Sequence, residues 1–204
     1  MTRIGRAGMM RLWVHVGIRA ITGLTLFGGS LVGVGCAPTF NWREVRLEGS
    51  GGLVALFPCK PDAASQVNRM QDLRKLTVRL WTCRAGDHIW SVAMADVGDV
   101  RQIASVLGDW STGVATRPGF QVQAIDGIQV RGAPPQQPAA QAWKSVSGVR
   151  AGQGGLNGLE GWTWHFSHGL QVYQISVWRP AGSELPTNSE DVVSTFKNGF
   201  YFQK

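Results

Sequence analysis

Acidic residues are missing from the first 35 positions of this 204-residue chain, which nevertheless hold Arg3, Arg6, Arg11 and Arg19. Long apolar runs are missing too. The most hydrophobic stretch, 20–34, is fifteen glycine-rich residues, short of the roughly 20 that cross a bilayer core as a helix. Beyond it, basic charge clusters no further than the pair Arg74-Lys75, which argues against a nucleic-acid groove with its stripe of phosphate contacts. No glycine-x-serine-x-glycine elbow occurs, so a hydrolase of that design has no support. The glycine-rich run 152–158 lacks a lysine followed by serine or threonine, which removes a P-loop. Cysteine and tyrosine are scarce, at three and two.

What the N-terminus does contain is ordered. A basic segment is followed by an apolar one, then small residues, then Leu31-Val32-Gly33-Val34-Gly35-Cys36. This reads as a lipoprotein signal peptide whose cleavage leaves Cys36 lipidated at the new N-terminus. Gly33 stands where such signals usually have leucine, and Met9 and Met10 compete with Met1 as the start. The expected organisation is a signal over 1–35, a lipidated N-terminus and tether over 36–41, and one globular domain over 42–204. An ordinary cleaved signal and an uncleaved single-span anchor are the alternatives. The acyl chains of a bacterial lipoprotein exceed the two-signal threshold for stable anchoring. Ala37, not aspartate, follows Cys36. That resembles lipoprotein cargo sent on to the outer membrane, facing the periplasm, with the inner membrane as the alternative.

Cleavage changes the arithmetic. Four of the 20 Lys+Arg and none of the 13 Asp+Glu precede Cys36, so the formal charge falls from +7 to +3. The remaining length suits a single core. Eight of the nine tryptophans stay, and most are expected in the core because each buries a large apolar area. Cys59 and Cys83 are left as an even pair, which in an oxidising compartment reads as a disulfide. A metal pair is the alternative, but zinc takes four ligands and no third cysteine is on offer.

Hydrophobic periodicity organises the rest. Residues 42–47 alternate like a strand, and Leu53-Val54-Ala55-Leu56-Phe57 suits a central strand stopped by Pro58 and Pro61. Leu76, Val78 and Leu80 alternate with Lys75, Thr77 and Arg79; after the turn Ala85-Gly86-Asp87, Trp90, Val92 and Met94 share a returning face, a hairpin. Asp99 with Gln102 predicts a capped helix whose apolar stripe is Val100, Ile103, Ala104, Leu107, Trp110 and Val114, ended by Arg117-Pro118-Gly119. Short strands are expected within 120–131, where Ile128 and Val130 alternate, and again over 142–149, with a proline-rich loop between. A glycine-rich loop over 151–161 leads to a second hairpin, with Trp162, Trp164 and Phe166 on one face and Tyr173, Ile175 and Val177 on its return. Thr187 with Glu190 opens a short helix with Val192, Val193 and Phe196 inward, and Phe200-Tyr201-Phe202 forms a docking tail. The class is α+β, an antiparallel sheet with helices packed against it.

Four elements together resemble the PsbP/Mog1-like fold of small bacterial envelope proteins. These are Leu53–Pro61, the Leu76–Asp96 hairpin, the following helix, and the last hairpin running into a helix with Phe196-Lys197-Asn198-Gly199-Phe200. The resemblance covers most of the mature chain. Cys59 replaces the glycine more usual in the phenylalanine-proline turn, which fits a bond to Cys83. The resemblance implies a binding or accessory module more often than an enzyme, and transfers no catalytic residue.

Candidate chemistry is sparse. His165 and His168 have the only ligand-like spacing, yet on a strand an offset of three puts side chains on opposite faces. Trp42 and Trp143 lie outside the cleanest core stripes and, with these two histidines, are the candidate ligand-binding residues. Paired carboxylates would require Glu160, Asp126 or Glu44 to converge. No catalytic residue, metal or cofactor is assigned. The expectation is a lipid-anchored envelope protein without catalytic activity, attached to a membrane and binding an envelope protein or a small or lipidic ligand, not nucleic acid. The alternative is an envelope hydrolase using His88 or His165.

Overall fold

The computed structural model describes residues 39–70, 75–116, 120–133, 141–147, 159–181 and 189–203. The expected signal over 1–35, Cys36, the expected proline-rich loop at 134–138, the glycine-rich run 152–158 and Thr187 of the second expected capping box lie outside the described residues. One compact unit, Ala37–Lys204, holds all that is described. Among the described residues no helix is long and apolar enough to cross a membrane.

Among the described residues ten strands and two α-helices follow in the order β1 Arg43–Arg46, β2 Leu53–Phe57, β3 Asp62–Arg69, β4 Lys75–Ala85, β5 His88–Asp96, α1 Ile103–Ala115, β6 Phe120–Ala124, β7 Gln141–Ser147, β8 Leu159–His168, β9 Gln171–Pro180, α2 Ser189–Asn198 and β10 Phe200–Phe202. They make an α+β domain with two antiparallel sheets rather than one: a small sheet β1-β2-β10 and a large sheet β3-β4-β5-β9-β8-β7-β6. The expected apolar tail is therefore a strand, with Tyr201 opposite Val54.

The β4–β5 hairpin closes with Ala85 opposite His88, leaving Gly86-Asp87 as a two-residue turn in which Gly86 takes φ +61°. That left-handed conformation is one glycine adopts without steric cost. The β8–β9 hairpin is longer than its tryptophan pattern suggested: β8 begins three residues before Trp162 and β9 ends two residues after Trp178. Gly161, expected in the preceding loop, lies inside β8 opposite Trp178. β3 went unrecognised in the sequence. Ile128 and Val130, expected on a short strand, are buried but belong to an irregular segment, joined to β10 by a single parallel bridge from Arg131 to Tyr201.

The large sheet is covered on both faces, because side chains alternate across it and each face meets a different layer. On one face Trp81, Trp90, Val92, Trp164, Phe166, Tyr173, Ile175 and Val177 pack with the small sheet and with Phe196 of α2. On the other, Val78, Ala95 and Val172 pack with Ile103, Val106 and Leu107 of α1. Asp99 caps the one-turn 3-10 entry to α1 by accepting from the Arg101 amide, 2.9 Å away. The inward stripe of α1 runs through Val106, whereas Val100 (65% exposed) and Ala104 point to solvent, a correction to the expected stripe. The cause is that Val100 lies in the 3-10 turn, so its phase does not continue into the α-helix. Cys59, just after β2, and Cys83 of β4 form a disulfide with Cα atoms 6.0 Å apart, tying the small sheet to the large one.

Candidate functional site

Polar side chains alternate with the tryptophans along β8 and would face water if the sheet were single-sided. Here α1 lies over that face, and they are buried. Thr163 and His165 on β8 and Ser176 on β9 are each almost completely enclosed. The register sets them side by side: Thr163 is opposite Ser176, His165 opposite Gln174, and Trp143 of β7 opposite Thr163. His165 Nε2 lies 3.1 Å from Gln174 Oε1, and Gln174 Nε2 donates to Ser176 Oγ at 3.0 Å. The chain requires the Nε2–H tautomer of His165. Thr163 Oγ1 and the indole Nε1 of Trp143 are buried with no partner among the described residues. A buried donor or hydroxyl left unpaired costs stability, so this strip holds polar groups a packed interior would not choose.

A second polar group occupies the opposite face, at the turn end of β5. His88 is buried, its ring stacked on Trp90 at 5.3 Å between centroids, with Nδ1 2.9 Å from Asp87 Oδ1. Burial pushes its pKa below the ordinary histidine value; Asp87 opposes the shift and Arg179 adds to it. Arg179 is itself buried, paired through Nη2 with Glu160 and lying 5.2 Å over the Trp162 ring. Its Nε and Nη1 have no partner among the described residues.

These arrangements distribute the candidate residues unevenly. Trp143 and His165 share the α1 face. Trp42 is half-buried against Phe40 and Trp90 on the other face, with ring centroids 6.1 Å apart in each pair. His168 stacks on Phe202 at 3.8 Å, also on that other face. His165 and His168 therefore point to opposite sides of β8, as their spacing requires. Glu44 and Asp126 are exposed, while Glu160 is held by Arg179. Among the described residues no group of three or more His, Cys, Asp or Glu could hold a metal.

Chemically, the strip is a short enclosed hydrogen-bonded chain. His165 reaches Ser176 only through the Gln174 amide, so its imidazole is not placed to take the serine proton. Sequence reasoning missed Thr163, Gln174 and Ser176 because alternate polar residues read as solvent-facing. The available signal was the amphipathic helix at 103–115, which needs a sheet face to cover. No protein-family model matches the chain, and no curated protein matches it either.

Proposed function

We propose that this chain is a lipid-anchored, periplasm-facing binding or accessory protein of the bacterial envelope, built on a PsbP/Mog1-like domain and held in the outer membrane through Cys36. The observation that carries the reading is the cysteine accounting. Cys59 and Cys83 bond to each other, which suits an oxidising compartment, and Cys36 alone is left, at the end of a signal-like stretch. The antiparallel sheets with a helix on each side of the larger one are compatible with the proposed fold. The hydrolase alternative is disfavoured by its own candidates: His88 is enclosed and stacked on Trp90, and His165 is bonded to an amide. Ligands in keeping with these faces are an envelope protein or a small or lipidic molecule.

Fractionation tests it. The wild-type chain is expected in the membrane pellet, released by detergent, and the Cys36→Ser variant in the soluble periplasmic fraction. Retention of Cys36→Ser in the membrane would contradict the anchor.

A further inference from the structure

Four strand edges could accept another chain, and three are blunted. β10 is bridged by Arg131, β1 has four residues of which three are charged, and β6 has five residues. β3 is different. It runs for eight residues in unbroken register with β4, carries charge only at its ends, Asp62 and Arg69, and contains no proline. Apart from Asn68 every residue in it is exposed, Val67 at 64%. A long edge without proline, bulge or internal charge is a template for strand addition, and native proteins normally guard against it.

The surroundings say what would add. Between β1 and the β3–β4 pair lies a cleft of about 430 Å³, with Arg46 and Glu48 on one wall, Ala63 and Ser65 on the other, and Arg79 and Trp81 between. Arg79 also borders a second cleft of about 380 Å³ that contains Lys75 and Asp96. Its guanidinium lies against Gly49, where a Cβ would sit 1.8 Å from Nη1, and donates to the Glu48 carbonyl at 3.0 Å. Arg46 donates to the Gln203 side chain. Neither arginine, nor Lys75, nor Arg69 has a carboxylate partner among the described residues. The cations of this track thus keep their charge for a visitor.

We propose that β3 and the adjoining cleft dock an extended, acidic segment of a partner protein. The segment adds antiparallel or parallel to the β3 edge through main-chain hydrogen bonds, while alternate carboxylates reach Arg46, Arg79 and Lys75. This rests on the binding function proposed above and gives it a surface and a partner chemistry; it does not depend on the anchor.

The test uses the full chain in nonionic detergent micelles and fluorescein-labelled peptides of β3's length. The probes are alternating valine–glutamate, alternating valine–lysine, and the glutamate peptide with its valines replaced by proline. Fluorescence anisotropy should show the first binding about tenfold or more tighter than the other two. Arg46→Glu combined with Lys75→Glu should weaken it by about tenfold. Ser65→Pro and Gln66→Pro probe the edge from both phases, because only one of two neighbours turns its N–H outward. Whichever variant keeps the wild-type melting temperature should lose binding. Equal binding of all three peptides, or no binding below roughly 1 mM, would overturn the proposal. So would a dimer seen by sedimentation that the edge prolines abolish, since a second copy would then occupy β3. Charge-dependent binding to phosphatidylglycerol vesicles without peptide binding would overturn it too, in favour of a lipid surface. Peptide failure with Cys36-dependent membrane retention intact sinks the groove and leaves the anchored binding protein standing.

Discussion

The two faces of the large sheet are covered by different layers and filled differently. The face toward the small sheet is a continuous aromatic layer, with Trp90, Trp164, Phe166 and Tyr173 at its centre and Phe196 of α2 pressed 5.1 Å from Trp90. The face under α1 is apolar only around Val78, Ala95 and Val172; toward β7 and β8 it turns into Thr163, His165, Gln174 and Ser176. Both faces also enclose polar atoms without a partner among the described residues, at His88 Nε2 and Arg179 on the aromatic side and at Thr163 and Trp143 under α1.

Truncating the centre of the aromatic layer should have the largest effect. Trp90→Ala is expected to cost about 4 kcal/mol in urea unfolding of the full chain in micelles. A loss below about 2 kcal/mol would break the comparison, because that face would then tolerate a cavity. Next comes the link between layers. Cys59→Ala or reduction of the disulfide should cost about 3 kcal/mol, given a closed loop with a sequence separation of 24 residues.

Acid should act on the aromatic face through His88. His88 has a pKa lowered by burial, so as pH falls below about 6.5 the unfolded chain takes up the proton first and stability declines. A His88→Gln variant should show a flatter stability profile across that window. At the alkaline end, burial raises the Tyr173 phenol, whose hydroxyl lies 2.8 Å from the Ser50 carbonyl. The unfolded chain then loses its proton first, and stability falls above about pH 10.

The smallest effect is the most telling in sign. Thr163→Val replaces a hydroxyl without a partner among the described residues by a methyl of similar shape. Stability should stay within about 0.5 kcal/mol of wild type or rise. A loss beyond about 1 kcal/mol would mean the hydroxyl is bonded, and the strip structural.

Much of the aromatic face was legible in the sequence, because Trp90-Val92-Met94 and Tyr173-Ile175-Val177 alternate against polar residues and both hairpins carry turn residues. The stripe of α1 was legible only in part: Val106 packs inward with Ile103 and Leu107 though it was not read so, and Val100, in the 3-10 turn over 100–102, does not. β3 escaped because Asp62-Ala63-Ala64-Ser65-Gln66-Val67-Asn68-Arg69 has no apolar alternation: it buries neither face and is a strand only by pairing with β4. The candidate site was half legible. Trp143 and His165 stood out by residue type, but their neighbours Thr163, Gln174 and Ser176 are ordinary polar residues until a helix covers them.

The proposed anchor depends on Cys36, and intact-mass spectrometry of the protein purified from its native membrane tests it most directly. The predicted mass is that of a chain beginning at Cys36, acylated there, and two hydrogens lighter for the Cys59–Cys83 bond. A chain that retains residues 1–35, or one cut elsewhere with Cys36 absent or unmodified, would contradict it.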